Sequence, residues 1–136
     1  MYKKILCVTA AFMLCTNIAF ANPKKSLSDV DTISNSLNTV FLSVLQGKDI
    51  NSIKKDIDFV QSELNRERNE ILHEIQQAED KDKSFYYSLL SVLNYYQISL
   101  LELQYYYQSN SHQLLISAIS ALNQGDLMLN VIKSKI

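Results

Sequence analysis

An all-α fold, arranged as an antiparallel up-down-up-down four-helix bundle, is predicted by three features of this 136-residue chain. Beyond Pro23 it has no further proline and only two glycines, Gly47 and Gly125, so few positions can break a helix. Apolar residues recur at three- and four-residue steps, the period of a helix with one buried stripe, and strand-type alternation is missing. The predicted helices are joined by connections of a few residues, which places consecutive helices side by side in opposite directions.

The first 21 residues are expected to be a secretory signal peptide. Lys3 and Lys4 form a positive n-region, Ile5 to Leu14 an apolar h-region, and Ala19-Phe20-Ala21 an A-x-A cleavage site. An uncleaved anchor is disfavoured because Asn17 interrupts an apolar run already short of the roughly 20 residues a spanning helix needs. A lipoprotein reading fails because Cys15 follows Phe12-Met13-Leu14 rather than a small residue. The short, lightly basic signal points to the periplasm, with secretion as the alternative. Cleavage removes Cys7 and Cys15, the only cysteines, so the mature chain of residues 22–136 has neither a disulfide nor a cysteine nucleophile. It also removes Lys3 and Lys4, leaving 11 basic against 14 acidic residues, too acidic a balance for nucleic acid. The remaining chain reads as a single helical-bundle domain, with residues 22–25 a mobile leader.

The first predicted helix starts at Ser26 and carries Leu27, Val30, Ile33, Leu37, Val40, Phe41 and Val44 on one stripe; Gly47 ends it. Asp49 is placed to cap the second, whose seam runs Ile50, Ile53, Ile57, Val60, Leu64, Ile71, Ile75 and Ala78. At about 30 residues this is expected to be the longest and most charged helix. Asp80-Lys81-Asp82-Lys83 reads as a turn, and Ser84 as the cap of a third helix running to Ser109. The fourth carries Leu115, Ala118, Ile119, Leu122, Leu129, Ile132 and Ile136. Its phase roughly survives Gly125, which predicts one kinked helix with Asp126 turned toward the core; a break at Gly125 with Asp126 as a cap is the alternative.

Residues 84 to 125 hold seven of the eight tyrosines but one formal charge, Glu102, whereas the stretch from Lys48 to Lys83 is nearly half charged. On a wheel of about 100° per residue, Tyr86, Leu89, Leu90, Leu93, Tyr96, Leu100, Leu101 and Tyr107 share a core face of the third helix. The far side carries Tyr87, Tyr95, Ile98, Glu102, Tyr105 and Tyr106, the expected partner-binding residues. Tyrosine offers large contact area at little rotamer cost and keeps a hydroxyl for a directional bond. A central helix whose second face is buried by a neighbour, or a homodimer seam, would cover the same residues.

No catalytic, cofactor or metal signature emerges, and the chain is not expected to be an enzyme. Glu70-Ile71-Leu72-His73 has the E-x-x-H spacing of di-iron bundles, but Tyr105 follows Glu102 where a second histidine would stand, and His73 falls about 160° from the apolar stripe. His112 and Met128 lack a C-x-x-C-H attachment, so haem is not expected; no G-x-S-x-G elbow serves the serines. Glu63, Glu67, Glu70 and Glu74 with Arg66 and Arg68 resemble a solvated ion-pair ladder, although Glu67 and Glu74 also fall near apolar seam positions. The function read from these features is a small exported protein-binding module. Its first form is an inhibitor, immunity-type or adaptor protein acting on a protein partner in the envelope or outside the cell; a periplasmic chaperone or assembly accessory and a structural homo-oligomer are the alternatives. No stable membrane span is expected after signal cleavage.

Overall fold

A computed structural model describes residues 22–135 of the chain. The signal peptide expected over residues 1–21, with both cysteines, and the seam position Ile136 lie outside the described residues. Within them the fold is all-α: α1 Pro23–Leu45, α2 Ile50–Gln77, α3 Asp80–Ser109 and α4 His112–Lys133, with no strand among the described residues.

Each boundary follows from local chemistry. Pro23 occupies the first turn of α1, where a missing N–H costs nothing, and the Asn22 side chain accepts the Lys25 N–H at 3.1 Å. Residues 23–25 are therefore helical rather than the leader expected from sequence, and Lys25 is held further by ion pairs to Asp29 and Glu70. At the other end Gly47 takes a φ of 78°, and the Gly47 and Lys48 N–H groups bond back to the Val44 and Ser43 carbonyls. This is the Schellman closure, and the positive φ favours glycine there. Asp49 caps α2 as expected, accepting the N–H groups of Asn51 and Ser52.

One boundary differs from expectation. Asp80 to Lys83 are the first turn of α3, Ser84 is not the cap, and the connection shrinks to Ala78 and Glu79, both in extended backbone. Asp80 and Asp82 lie at the positive end of the helix dipole, and the Lys83 ammonium meets Asp80 at 2.7 Å three residues away. A charge run that reads as a turn is thus compatible with a helix start. In consequence α3, at 30 residues, is longer than α2, at 28, reversing the expected order. Asn110, with a left-handed φ of 56°, ends α3.

The apolar stripes meet in a single core. Val30, Leu37 and Val40 of α1, Ile53, Leu64 and Ile71 of α2, Tyr86, Leu93 and Leu100 of α3, and Ala118, Leu122 and Leu129 of α4 are all buried in it. Both α1 and α3 touch every other helix, whereas α2 and α4 do not meet. The most extensive pairing is α3 with α4. On α3 the expected core face is recovered except at its edge, where Leu101 is exposed and Leu90 and Tyr107 are only partly buried. Val92, Ser99 and Leu103 are buried instead, because the close approach of α4 rotates the enclosed arc toward it.

That approach depends on small residues. Ala118, Ala121 and Gly125 of α4 are buried, and the Ser99 hydroxyl donates to the Ala118 carbonyl at 2.8 Å. A Cβ on Gly125 would stand 2.5 Å from Tyr96 Cε1 and 3.3 Å from Tyr95 Cβ, so the Tyr96 ring occupies the space a side chain would need. α4 runs unbroken through Gly125 with Asp126 turned inward, the continuous rather than the broken of the two expected arrangements. Asp126 is satisfied there: Oδ1 accepts from Ser34 Oγ at 2.6 Å and Tyr96 Oη at 2.7 Å, and Oδ2 from Asn38 Nδ2 at 3.1 Å. Burial first, and then the adjoining carboxylate, hold the Tyr96 phenol well above its ordinary range, so it remains a donor.

Two substitutions test this joint. Alanine at a helical glycine normally stabilises by about 1 kcal/mol. Gly125→Ala is expected to do the reverse and cost about 1–3 kcal/mol in urea unfolding; a gain would show that the helices are not in the close contact described. Tyr96→Phe is expected to cost about 1–3 kcal/mol, since it removes a donor from a partly buried carboxylate while keeping the ring. An unchanged unfolding midpoint would mean that water replaces the phenol.

Candidate functional site

The outer face of α3 is the larger candidate. Tyr87, Ile98 and Tyr105 project from one line along the helix and are 56%, 46% and 48% exposed, with Ser91 and Asn94 between them and Leu101 at the edge. The remaining three predicted residues lie nearer to α4 and are half-buried. Tyr95 backs onto Gly125, Tyr106 packs against the core with its ring 5.2 Å from Tyr107 and 6.4 Å from His112, and Glu102 keeps one buried oxygen without a hydrogen-bond partner. The six residues therefore form an exposed line and a half-enclosed flank rather than one uniform surface.

Sequence reasoning did not include the adjoining part of α4. Leu127 and Val131 are exposed, and with Ser88, Met128, Ile132 and Lys135 they line a shallow groove between α3 and α4. The available signal was the low charge of α4, which carries only Asp126 and Lys133 among its ionisable acids and amines. This helix is also long and apolar enough, by length and composition, to cross a membrane.

The second candidate lies between α1 and α2. Lys25 Nζ sits 3.1 Å from Asp29 Oδ2 and 2.8 Å from Glu70 Oε2, and Arg66 binds Glu63 at 2.9 Å and Glu70 at 2.6 Å. Beneath them Glu67 is fully buried, and neither of its oxygens has a hydrogen-bond partner. Its nearest cation, Arg66 Nη1, is 3.7 Å away and engaged by Glu70. The ladder expected from sequence holds for Glu63 and Glu70, whereas Glu67 follows the seam position that the sequence also indicated for it and turns inward after Leu64. Glu74 is half-buried, with one oxygen unpartnered, as is the buried Tyr86 hydroxyl of α3. His73 is exposed and contacts Gln77, so the E-x-x-H pair does not converge.

Burial is the main reason that the Glu67 carboxyl is pushed up to about 7, with Asp29 and Glu70 adding to the rise and Arg66 and Lys25 opposing it. Glu70 moves the other way, held low first by its bond from Lys25. No protein-family model, curated protein or solved structure matches the chain.

The Glu67 shift has a defined sign. Its folded pKa lies above the unfolded value near 4.5, so the folded state holds the proton more tightly. The resulting stabilisation is complete below that lower value and is lost as pH rises to about 7, amounting to about 3 kcal/mol at about 1.4 kcal/mol per unit. Glu67→Gln is expected to flatten this part of the stability profile between about pH 5 and about pH 8. Parallel profiles for the two proteins in denaturant titrations would show that Glu67 reaches water.

Proposed function

We propose that the protein is a small exported helical binding module, most simply an inhibitor, immunity-type or adaptor protein that occludes a protein partner with the outer face of α3. On this reading the four helices form an up-down-up-down bundle acting as a rigid support, the first 21 residues direct export to the periplasm or beyond, and no reaction is catalysed. The carrying observation is the exposed line of Tyr87, Ile98 and Tyr105, none of them charged, with the exposed apolar residues Leu127 and Val131 on the neighbouring α4. Solvent-facing helix surfaces are ordinarily charged, as α2 is here. Tyrosine and isoleucine in that position bury large area on contact, and the tyrosine hydroxyls supply direction. Short connections at residues 46–49, 78–79 and 110–111 support the bundle topology and a face that changes little on binding.

The test uses the purified protein as bait in an exported-protein extract, beside a variant in which Tyr87, Ile98 and Tyr105 are all changed to Ser. These three sites are exposed, so the variant is expected to retain its fold, each change altering stability by no more than about 0.5 kcal/mol. One protein captured by the unaltered bait and lost with the variant is the expected result. Capture of the same protein by both baits would place binding elsewhere. Many unrelated clients would favour the chaperone reading, and self-association lost with the variant would make the face a dimer seam.

A further inference from the structure

We propose that Asp29, Glu67 and Glu70 form a binding site for a hard divalent cation of calcium size, which replaces the Lys25 ammonium and ties the start of α1 to the middle of α2. Each residue offers one carboxylate oxygen, and the three lie within 4.8 Å of one another. Oxygens sharing a calcium ion at 2.3–2.6 Å are separated by at most about 5 Å, so the three can converge on one ion with little movement.

A group of carboxylates alone would carry nothing, since solvated acidic clusters are common. The independent observation is Glu67. It is fully buried, directed into this group, and both oxygens lack a hydrogen-bond donor. A buried carboxylate without donors costs several kcal/mol in general terms, and such a group is normally paired or bound to metal. The Lys25 ammonium does not meet this need: it spans Asp29 and Glu70, and Glu67 accepts no hydrogen bond from it.

Charge counting points the same way. Asp29, Glu63, Glu67 and Glu70 carry four negative charges against the two positive charges of Lys25 and Arg66. Exchanging the single charge of Lys25 for a divalent ion cuts the excess negative charge from two to one, with Arg66 retained on Glu63 and Glu70. The exchange is sterically open. The Lys25 side chain is more than half exposed and can swing into water, and partly exposed Asp29 and Glu70 leave room for waters to complete the shell. All donors are oxygen, which favours calcium or manganese(II) over zinc or copper. Calcium's tolerance of irregular geometry suits ligands drawn from two helices better than the strict octahedron of magnesium does.

The protein, expressed from its full-length sequence and purified as processed by the cell, would be titrated with calcium by calorimetry and its thermal midpoint followed over the same range. The variants are Glu67→Gln, which keeps the shape, and Lys25→Met, which removes the competing ammonium. Binding of one calcium per chain with a rise in the midpoint is expected. Glu67→Gln should weaken it by more than about tenfold, as losses of even outer-shell partners do, and Lys25→Met should tighten it. The proposal is overturned if neither the unaltered protein nor Lys25→Met responds to millimolar calcium, or if Glu67→Gln binds as well as the unaltered protein. Circular dichroism of each variant separates loss of binding from loss of fold.

Discussion

The Tyr96 ring lies where the side chain of residue 125 would otherwise be, and the contact between α3 and α4 is built on that substitution of one volume for another. Glycine at 125 lets the two backbones approach, Ala118 and Ala121 continue the small surface, and Ser99 ties the helices directly through the Ala118 carbonyl. The phenol then reaches Asp126, whose other bonds come from Ser34 and Asn38 of α1. Three helices are thereby fixed in relative register by a single carboxylate. Apolar stripes alone define a face but tolerate sliding along it; a hydrogen-bonded polar group in a partly buried site does not.

This constraint also decides what the outside of the molecule presents. Because α4 covers the flank of α3 at Tyr95, Tyr106 and Glu102, of the six predicted residues only Tyr87, Ile98 and Tyr105 are left exposed. The proposed binding surface is therefore narrower on α3 than its residue pattern alone indicates, and the groove lined by Leu127, Val131 and Lys135 lies on its α4 side. On the opposite side of the core, α1 and α2 meet through charge rather than small residues. Lys25, Asp29, Arg66 and Glu70 form the outer layer there, and Glu67 lies beneath it without a partner. The same chain thus joins its helices around two inward carboxylates, Asp126 with its donors in place and Glu67 without one.

Much of the fold was legible in the sequence because helix period and capping are local. The stripes of α1, α2 and α4, the left-handed turn at Gly47 and the Asp49 cap all rest on interactions within a few residues of one another. The errors arose where one local pattern has two physical meanings. Alternating charges at Asp80 to Lys83 suit a turn, yet they also suit a first helical turn, where the dipole and a three-residue ion pair act together. Leu101 lies at the edge of its stripe, and the position of the neighbouring helix determines on which side of that edge it falls.

By itself the sequence determined that the described chain forms four helices, roughly where each begins and ends, and that the tyrosines gather on α3, because these depend on period, caps and composition. Only the tertiary structure decided which of those tyrosines are exposed, why position 125 must lack a side chain, and that Asp126 is satisfied while Glu67 is not. Each of these is settled by atoms from helices distant in sequence. Asp126 meets donors from two other helices, and Glu67 meets Asp29 from a third of the chain away. A carboxylate in an apolar seam looks the same in sequence whether or not a donor reaches it, and three-dimensional packing alone supplies or withholds that donor.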